Sequence, residues 1–240
     1  MESIQNQFIE ELNQLEQLIE FFDIEQEILK IESPKETKVI EFKEKYSTFY
    51  SQKRIFNYNT LIISLYGFFE KFIENILIQY IDKVNSIFQL YNKLPEIILR
   101  NHFKLSIDLL DKIQSPRYSG PLNKEVIIQR LHECININEN FQLNKEAFSQ
   151  HSANFRLQVL DDIFGRVGIE SLSTILKKNE KFSTYIKAKY ELSEINELTS
   201  DEIFSLLNDL AERRNEVAHG VPSEILSNET HMTKKRPPRE

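Results

Sequence analysis

Apolar residues recur every three or four positions along most of this chain, and that period predicts helices rather than strands. Between residues 3 and 31, Ile4, Phe8, Leu12, Leu15, Leu18, Ile19 and Phe22 keep the spacing while Glu and Gln fill the other face; Ser33-Pro34 ends the helix. A second helical segment is predicted from about 35 to 50. Residues 55–81 are the most apolar stretch, with Leu61, Leu65, Phe68, Phe69, Phe72 and Ile73 among a wide stripe that suits the central helix of a bundle. Glu70 and Glu74 lie at or beyond the margin of that stripe.

Leu94-Pro95 opens another amphipathic helix to about 113, and 115–121 read as a Pro- and Gly-containing loop. Asn123 is placed to cap a helix running to about Cys134. Residues 136–152 show no clean period and read as an irregular connection. A helix from 154 to 164, closed by Gly165 and Gly168, precedes one or two shorter helices over 170–190. The last helix starts at Thr199, with Glu202 three residues on as in a capping box, carries Ile203, Leu206, Leu207, Leu210 and Ala211, and stops at Gly220 before Pro222. On that helix Arg214 follows Leu210 by four residues and Leu207 by seven, which puts a fixed cation within the apolar stripe. Such a cation is costly unless it is paired or faces a cleft.

Composition agrees with an all-α fold. Among 240 residues there are 5 Gly and 17 Phe and no Trp, whereas all-β chains need many Gly-rich turns. The chain reads as one helical domain over 1–228, with 95–150 as a possible helical insertion. Residues 229–240 read as an exposed basic tail. The single cysteine, Cys134, excludes an internal disulfide and a multi-cysteine metal site. No signal peptide and no run of eighteen apolar residues is found, so a cytoplasmic protein with no membrane partner is expected. The formal net charge of −7 argues against a nucleic-acid partner held by a broad field and leaves room only for a local basic cleft.

The stretch Arg213-Arg214-Asn215-Glu216-Val217-Ala218-His219-Gly220, an Arg-x4-His spacing on an apolar helix, resembles the motif of the HEPN superfamily of helical ribonucleases. Within it, the chain is most similar to the RiboL-PSP-HEPN branch associated with prokaryotic defence and toxins. Tyr66 to Asn75, Ser152-Ala153-Asn154-Phe155-Arg156, and Gly165-Arg166-Val167-Gly168-Ile169 carry the same resemblance. It implies a HEPN-like bundle with additional helices inserted between the central helix and the motif helix. It also implies a homodimer, because the family combines two such pairs in a shared cleft and this chain has one. An antitoxin or another protein of a defence system is the further partner it implies. Many HEPN toxins of the nucleotidyltransferase-antitoxin type carry a modified tyrosine two residues beyond the histidine; Val221 stands there, which puts that control in doubt.

The chemistry is consistent with this likeness. Metal-free RNA cleavage needs a proton taken from the 2′-hydroxyl, a proton given to the 5′-oxygen, and fixed positive charge on the phosphorane oxygens. Histidine suits the first two tasks and arginine the third. Arg214 and His219 are therefore the expected catalytic pair, with Asn215 orienting the site as the resemblance implies. Arg213, Arg156 and Asn154 are expected to contact substrate, and Glu70 to support Arg214. On an ideal helix, residues five apart point about 140° from one another, so convergence of the pair is expected from fraying before Gly220 together with the length of the arginine side chain. The dipole at a helix C-terminus favours a cation, which suits His219 as the acid. His102, His132, His151 and His231 lack ligand spacing, so neither a metal nor a cofactor is expected.

The leading expectation is a metal-independent endoribonuclease acting as a toxin or defence effector. A non-catalytic HEPN-like module that dimerises and binds RNA or protein is the alternative, favoured by the acidic charge. A purely structural bundle would bury Arg214 against Glu70.

Overall fold

The computed structural model describes residues 2–30, 37–113, 122–136 and 141–220, without the side chains of 37–39, 48, 51 and 52. Every regular element among them is helical: α1 (Glu2–Lys30), α2 (Thr37–Ile87), a 3-10 turn (Tyr91–Lys93), α3 (Glu96–Lys112), α4 (Lys124–Ile135) and α5 (Lys145–Ser149). Then follow α6 (Leu157–Gly165), α7 (Leu172–Lys178), α8 (Glu180–Tyr190), a 3-10 turn (Ile195–Glu197), α9 (Ser200–Ile203) and α10 (Ser205–Ala218). The tail 229–240 and the loop 115–121 lie outside the described residues.

Three boundaries differ from those predicted. The segments expected at 35–50 and 55–81 are one 51-residue helix, α2. Ser51-Gln52-Lys53-Arg54 break the apolar period, but the junction contains no Gly or Pro to break the backbone. The helix expected from Thr199 is divided at Phe204, whose ring stacks on Phe182 at 6.1 Å and whose backbone leaves helical geometry. The Thr199–Glu202 capping box therefore starts the short α9 rather than the motif helix. The connection expected over 136–152 contains α5 and is a core segment, with Phe141, Leu143, Ala147 and Phe148 buried.

The chain divides into two compact units, Met1–Phe8 with Phe69–Ala211 and Ile9–Phe68 with Glu212–Glu240. The first holds both apolar clusters. The larger gathers Leu77 and Ile81 of α2, Ile98 and Leu109 of α3, Ile127 of α4, Phe148 of α5, Phe155, and Ile163 of α6. The smaller joins Ile186, Ile195, Leu198 and Ile203. Each such side chain contributes about 1.5–3 kcal/mol by leaving water.

Polar side chains fix the aperiodic stretch. His102 is fully buried; its Nε2 accepts from the Asn144 N–H at 3.0 Å, so Nδ1 carries the proton and faces Tyr91 Oη at 3.2 Å. Asn144 donates to Ser106 Oγ and to the Ile127 carbonyl. Burial holds the His102 pKa down to about 4 and pushes that of Tyr91 up to about 12. Arg166 of the Gly165–Ile169 stretch donates to the carbonyls of Phe148 and Gln150 and pairs with Asp162 at 2.7 Å. Gly168 beside it has φ +93° and a missing Cβ that would lie 3.3 Å from Ile97 Cγ2. This stretch of the resemblance thus has a structural task.

Candidate functional site

The second unit contains the Arg-x4-His residues. α10 ends at Ala218, and His219 is the next residue, exposed, its N–H donating to the Asn215 carbonyl at 3.0 Å. Gly220 follows with φ +69°, its N–H bonded to the Val217 carbonyl, a left-handed stop that an L side chain would strain. His219 therefore sits one residue beyond the helix, its backbone still bonded to the last turn and its side chain exposed.

Arg214 is half-buried, and its guanidinium lies over the ring of Tyr66 at 5.5 Å. The Tyr66 ring is 2 % exposed and presents its negative face to the cation. Arg213 Nη1 donates to Tyr58 Oη at 3.2 Å. Tyr58 and Tyr66 are eight residues apart on α2, so this helix receives both arginines within about two turns. Asn215 is half-buried beside them. Val217 lines an open groove with Phe56, Asn59, Thr60, Ile63 and Ser64 of α2. The second unit thus offers two cations on an aromatic helix, a groove, and a histidine at the helix end.

The remaining candidates belong to the first unit. Glu70, assigned on sequence grounds to support Arg214, lies there with its Oε1 3.3 Å from His151 Nε2; Glu74 Oε1 is 3.1 Å from the same nitrogen. His151 Nδ1 is 2.8 Å from the Ala153 carbonyl and must carry a proton, because that oxygen only accepts. The ring packs on Phe155 at 4.1 Å. Among the described residues no group of three or more His, Cys, Asp and Glu is arranged to hold a metal. Asn154 donates to the Ala211 carbonyl of α10 at 3.3 Å, while Arg156 is exposed ahead of α6 and caps nothing with its side chain. Leu157 N–H bonds Asn208 Oδ1 on α10. The 151–157 loop is therefore tied to α2 by His151 and to α10 by Asn154 and Leu157.

Sequence reasoning missed two contributors. Tyr66 was visible only as the first residue of a matching stretch. His151 lacks any ligand spacing and gains its partners 77 and 81 residues away in sequence.

No described helix is long and apolar enough to cross a membrane. No curated protein and no solved structure matches the chain. The RiboL-PSP-HEPN family model matches residues 19–234, and with most of its length so covered the chain belongs to the RiboL-PSP-HEPN family.

Proposed function

We propose that this chain is a metal-independent endoribonuclease, active as a homodimer and serving as a toxin or defence effector. HEPN domains are generally ribonucleases. The observation that carries the reading is the end of α10, where Arg214 is held by an aromatic ring and His219 is exposed one residue beyond the helix. In the reaction the 2′-oxygen loses its proton and bonds to the adjacent phosphorus. The phosphorus–O5′ bond breaks, and the 5′-oxygen gains a proton. Products are a 2′,3′-cyclic phosphate and a 5′-hydroxyl. His219 moves protons, and Arg214 stabilises the equatorial oxygens with its planar fork. One histidine cannot at once take one proton and give another, so the second copy supplies the complementary pair.

Asn215 orients Arg214 and His219, and Arg213 contributes a phosphate contact. Arg156 and Asn154 are the further residues assigned to RNA, and Asn154 also bonds the Ala211 carbonyl of α10. The test is cleavage of labelled RNA in excess EDTA by wild type, Arg214→Ala and His219→Ala, with circular dichroism to show that each is folded. Losing one general acid–base group should lower the rate by about 10²-fold or more. Cleavage that stops with EDTA, or survives both substitutions, sinks the reading. The second reading, a binding module without catalysis, is favoured by the −7 net charge and would show as RNA or protein binding with every RNA left intact.

A further inference from the structure

Residues 56, 59, 60, 63 and 64 of α2 share one face, since at about 100° per residue they span roughly 140° of the helix. With Val217 of α10 they line an open groove of about 360 Å³, near the lower end of the range for ligand sites. All of these residues belong to the second unit. Phe56 and Ile63 give the groove apolar walls and are 70 and 42 % exposed. Between them stand three polar side chains. Asn59 and Ser64 are half-buried, and Thr60 is exposed. Thr60 Oγ1 donates its hydrogen to the Phe56 carbonyl at 2.9 Å, so toward the groove this hydroxyl offers lone pairs. The Asn59 amide carries both a donor and an acceptor. None of the lining residues is charged.

The cations adjoin this face. Arg214 lies over the Tyr66 ring, and Tyr66 is about 20° round α2 from Asn59, on the side away from Thr60. His219 follows Val217 by two residues. Guanidinium groups that suit a phosphate, beside an uncharged groove with an aromatic wall, match the two halves of a nucleotide. We propose that the groove holds one unpaired base of an RNA strand, adenine first and cytosine next, stacked on Phe56 with its amino edge read by Asn59 and Thr60. The edge chemistry selects these bases. Adenine and cytosine present an amino group beside a ring-nitrogen acceptor, an edge open only when the base is unpaired. One amino hydrogen goes to Asn59 Oδ1 and the other to Thr60 Oγ1, while the ring nitrogen accepts from Asn59 Nδ2. Guanine and uracil carry a carbonyl oxygen in place of that amino group, and it would meet the Thr60 lone pairs. Adenine leads because its larger ring system covers more of Phe56.

The choice of RNA as the strand rests on the nuclease reading, and the proposal adds to it a base preference. Cuts should fall beside unpaired adenine or cytosine, and Phe56→Ala and Thr60→Val should broaden the set of positions cut.

The experiment is fluorescence anisotropy of labelled uridine hexamers in which one central base is A, C, G or U, titrated with the full chain. Their riboses are 2′-fluoro, so the attacking hydroxyl is missing and nothing is cut. The A hexamer is expected to bind most tightly and the C hexamer next, with G and U weaker than A by about tenfold. Phe56→Ala should weaken the A hexamer by about tenfold. Thr60→Val, which keeps the shape and loses the oxygen, should abolish the preference for A and C, and Thr60→Ser should retain it. Phe103→Ala, at an exposed position of α3, should change nothing, and circular dichroism shows that each variant is folded. Equal binding of the four hexamers, binding of none, or a preference that survives both Phe56→Ala and Thr60→Val overturns the proposal. Adenosine monophosphate that displaces the A hexamer at equal concentration overturns the strand in favour of a free nucleotide. Cleavage of ordinary RNA by the same proteins separates the two readings. A base preference without cleavage rejects the nuclease alone, and cleavage at positions indifferent to the base and to both variants rejects the groove site alone.

Discussion

His102 shows how one buried side chain makes stability depend on pH. Its ring is neutral in the fold because Nε2 accepts a backbone N–H and burial disfavours charge, which brings its pKa to about 4 from 6.5. A folded pKa below the unfolded one gives stability that is complete above 6.5 and is lost as pH falls toward 4, since only the unfolded chain then takes up the proton. The loss is on the order of 3 kcal/mol. Urea midpoints should therefore fall across pH 6.5 to 4 in wild type and fall less in His102→Asn, which starts lower. Gly168→Ala is a second case, with φ +93° and Ile97 in the way, and should lower stability by about 1–2 kcal/mol in the same titration. At this scale the sequence was informative where partners are close along the chain. Arg214, Asn215, His219 and Gly220 share one turn and its stop, so their spacing alone placed them at a helix end. The Tyr66 ring under Arg214 and the carboxylates around His151 depend on long-range packing that no local spacing records.

Elements follow the same logic. Helices with one apolar stripe, such as α3 and α4, were readable, including the Asn123 cap, whose side chain accepts from Glu125 N–H at 2.9 Å. The join inside α2 was not, because period and backbone propensity disagree at 51–54. Nor was the 141–151 stretch, which is fixed by His102, Asn144 and Arg166 through backbone hydrogen bonds rather than by a stripe. The 151–157 loop invites a test of this second kind of order. His151→Ala removes the ring nitrogen that both Glu70 and Glu74 face, and the two carboxylates remain beside each other on α2. Both carboxylates are partly exposed, so solvent moderates the cost to about 1–2 kcal/mol. Adding Glu70→Gln and Glu74→Gln should recover part of the loss. Additive destabilisation in the triple variant would show that the three groups do not act together.

For the whole molecule, the two units differ in what holds them. The first buries two apolar clusters and a cysteine thiol, Cys134, that is 1 % exposed and pushed up to about 12 by burial. In the described part of the second, Tyr66 is the one buried residue, and Leu15, Leu18, Phe22, Leu61 and Leu65 are only half-buried. Isolated helices are marginal in water, so α1 and α2, with Phe21, Ile24, Phe42 and Phe56 exposed, gain from a covering surface. If that surface is a second copy, the stability of the second unit depends on concentration and that of the first does not. Hydrogen exchange at two concentrations on either side of the dimer midpoint measures both at once. Amides of 9–30 and 40–60 should exchange faster on dilution, while those of α3 and α4 keep their rates. Cys134 should resist alkylation at both concentrations, because its thiolate forms only when the first unit opens. Uniform loss of protection on dilution would mean that both units depend on dimerisation. Protection unchanged everywhere would mean that 9–30 and 40–60 hold without a partner.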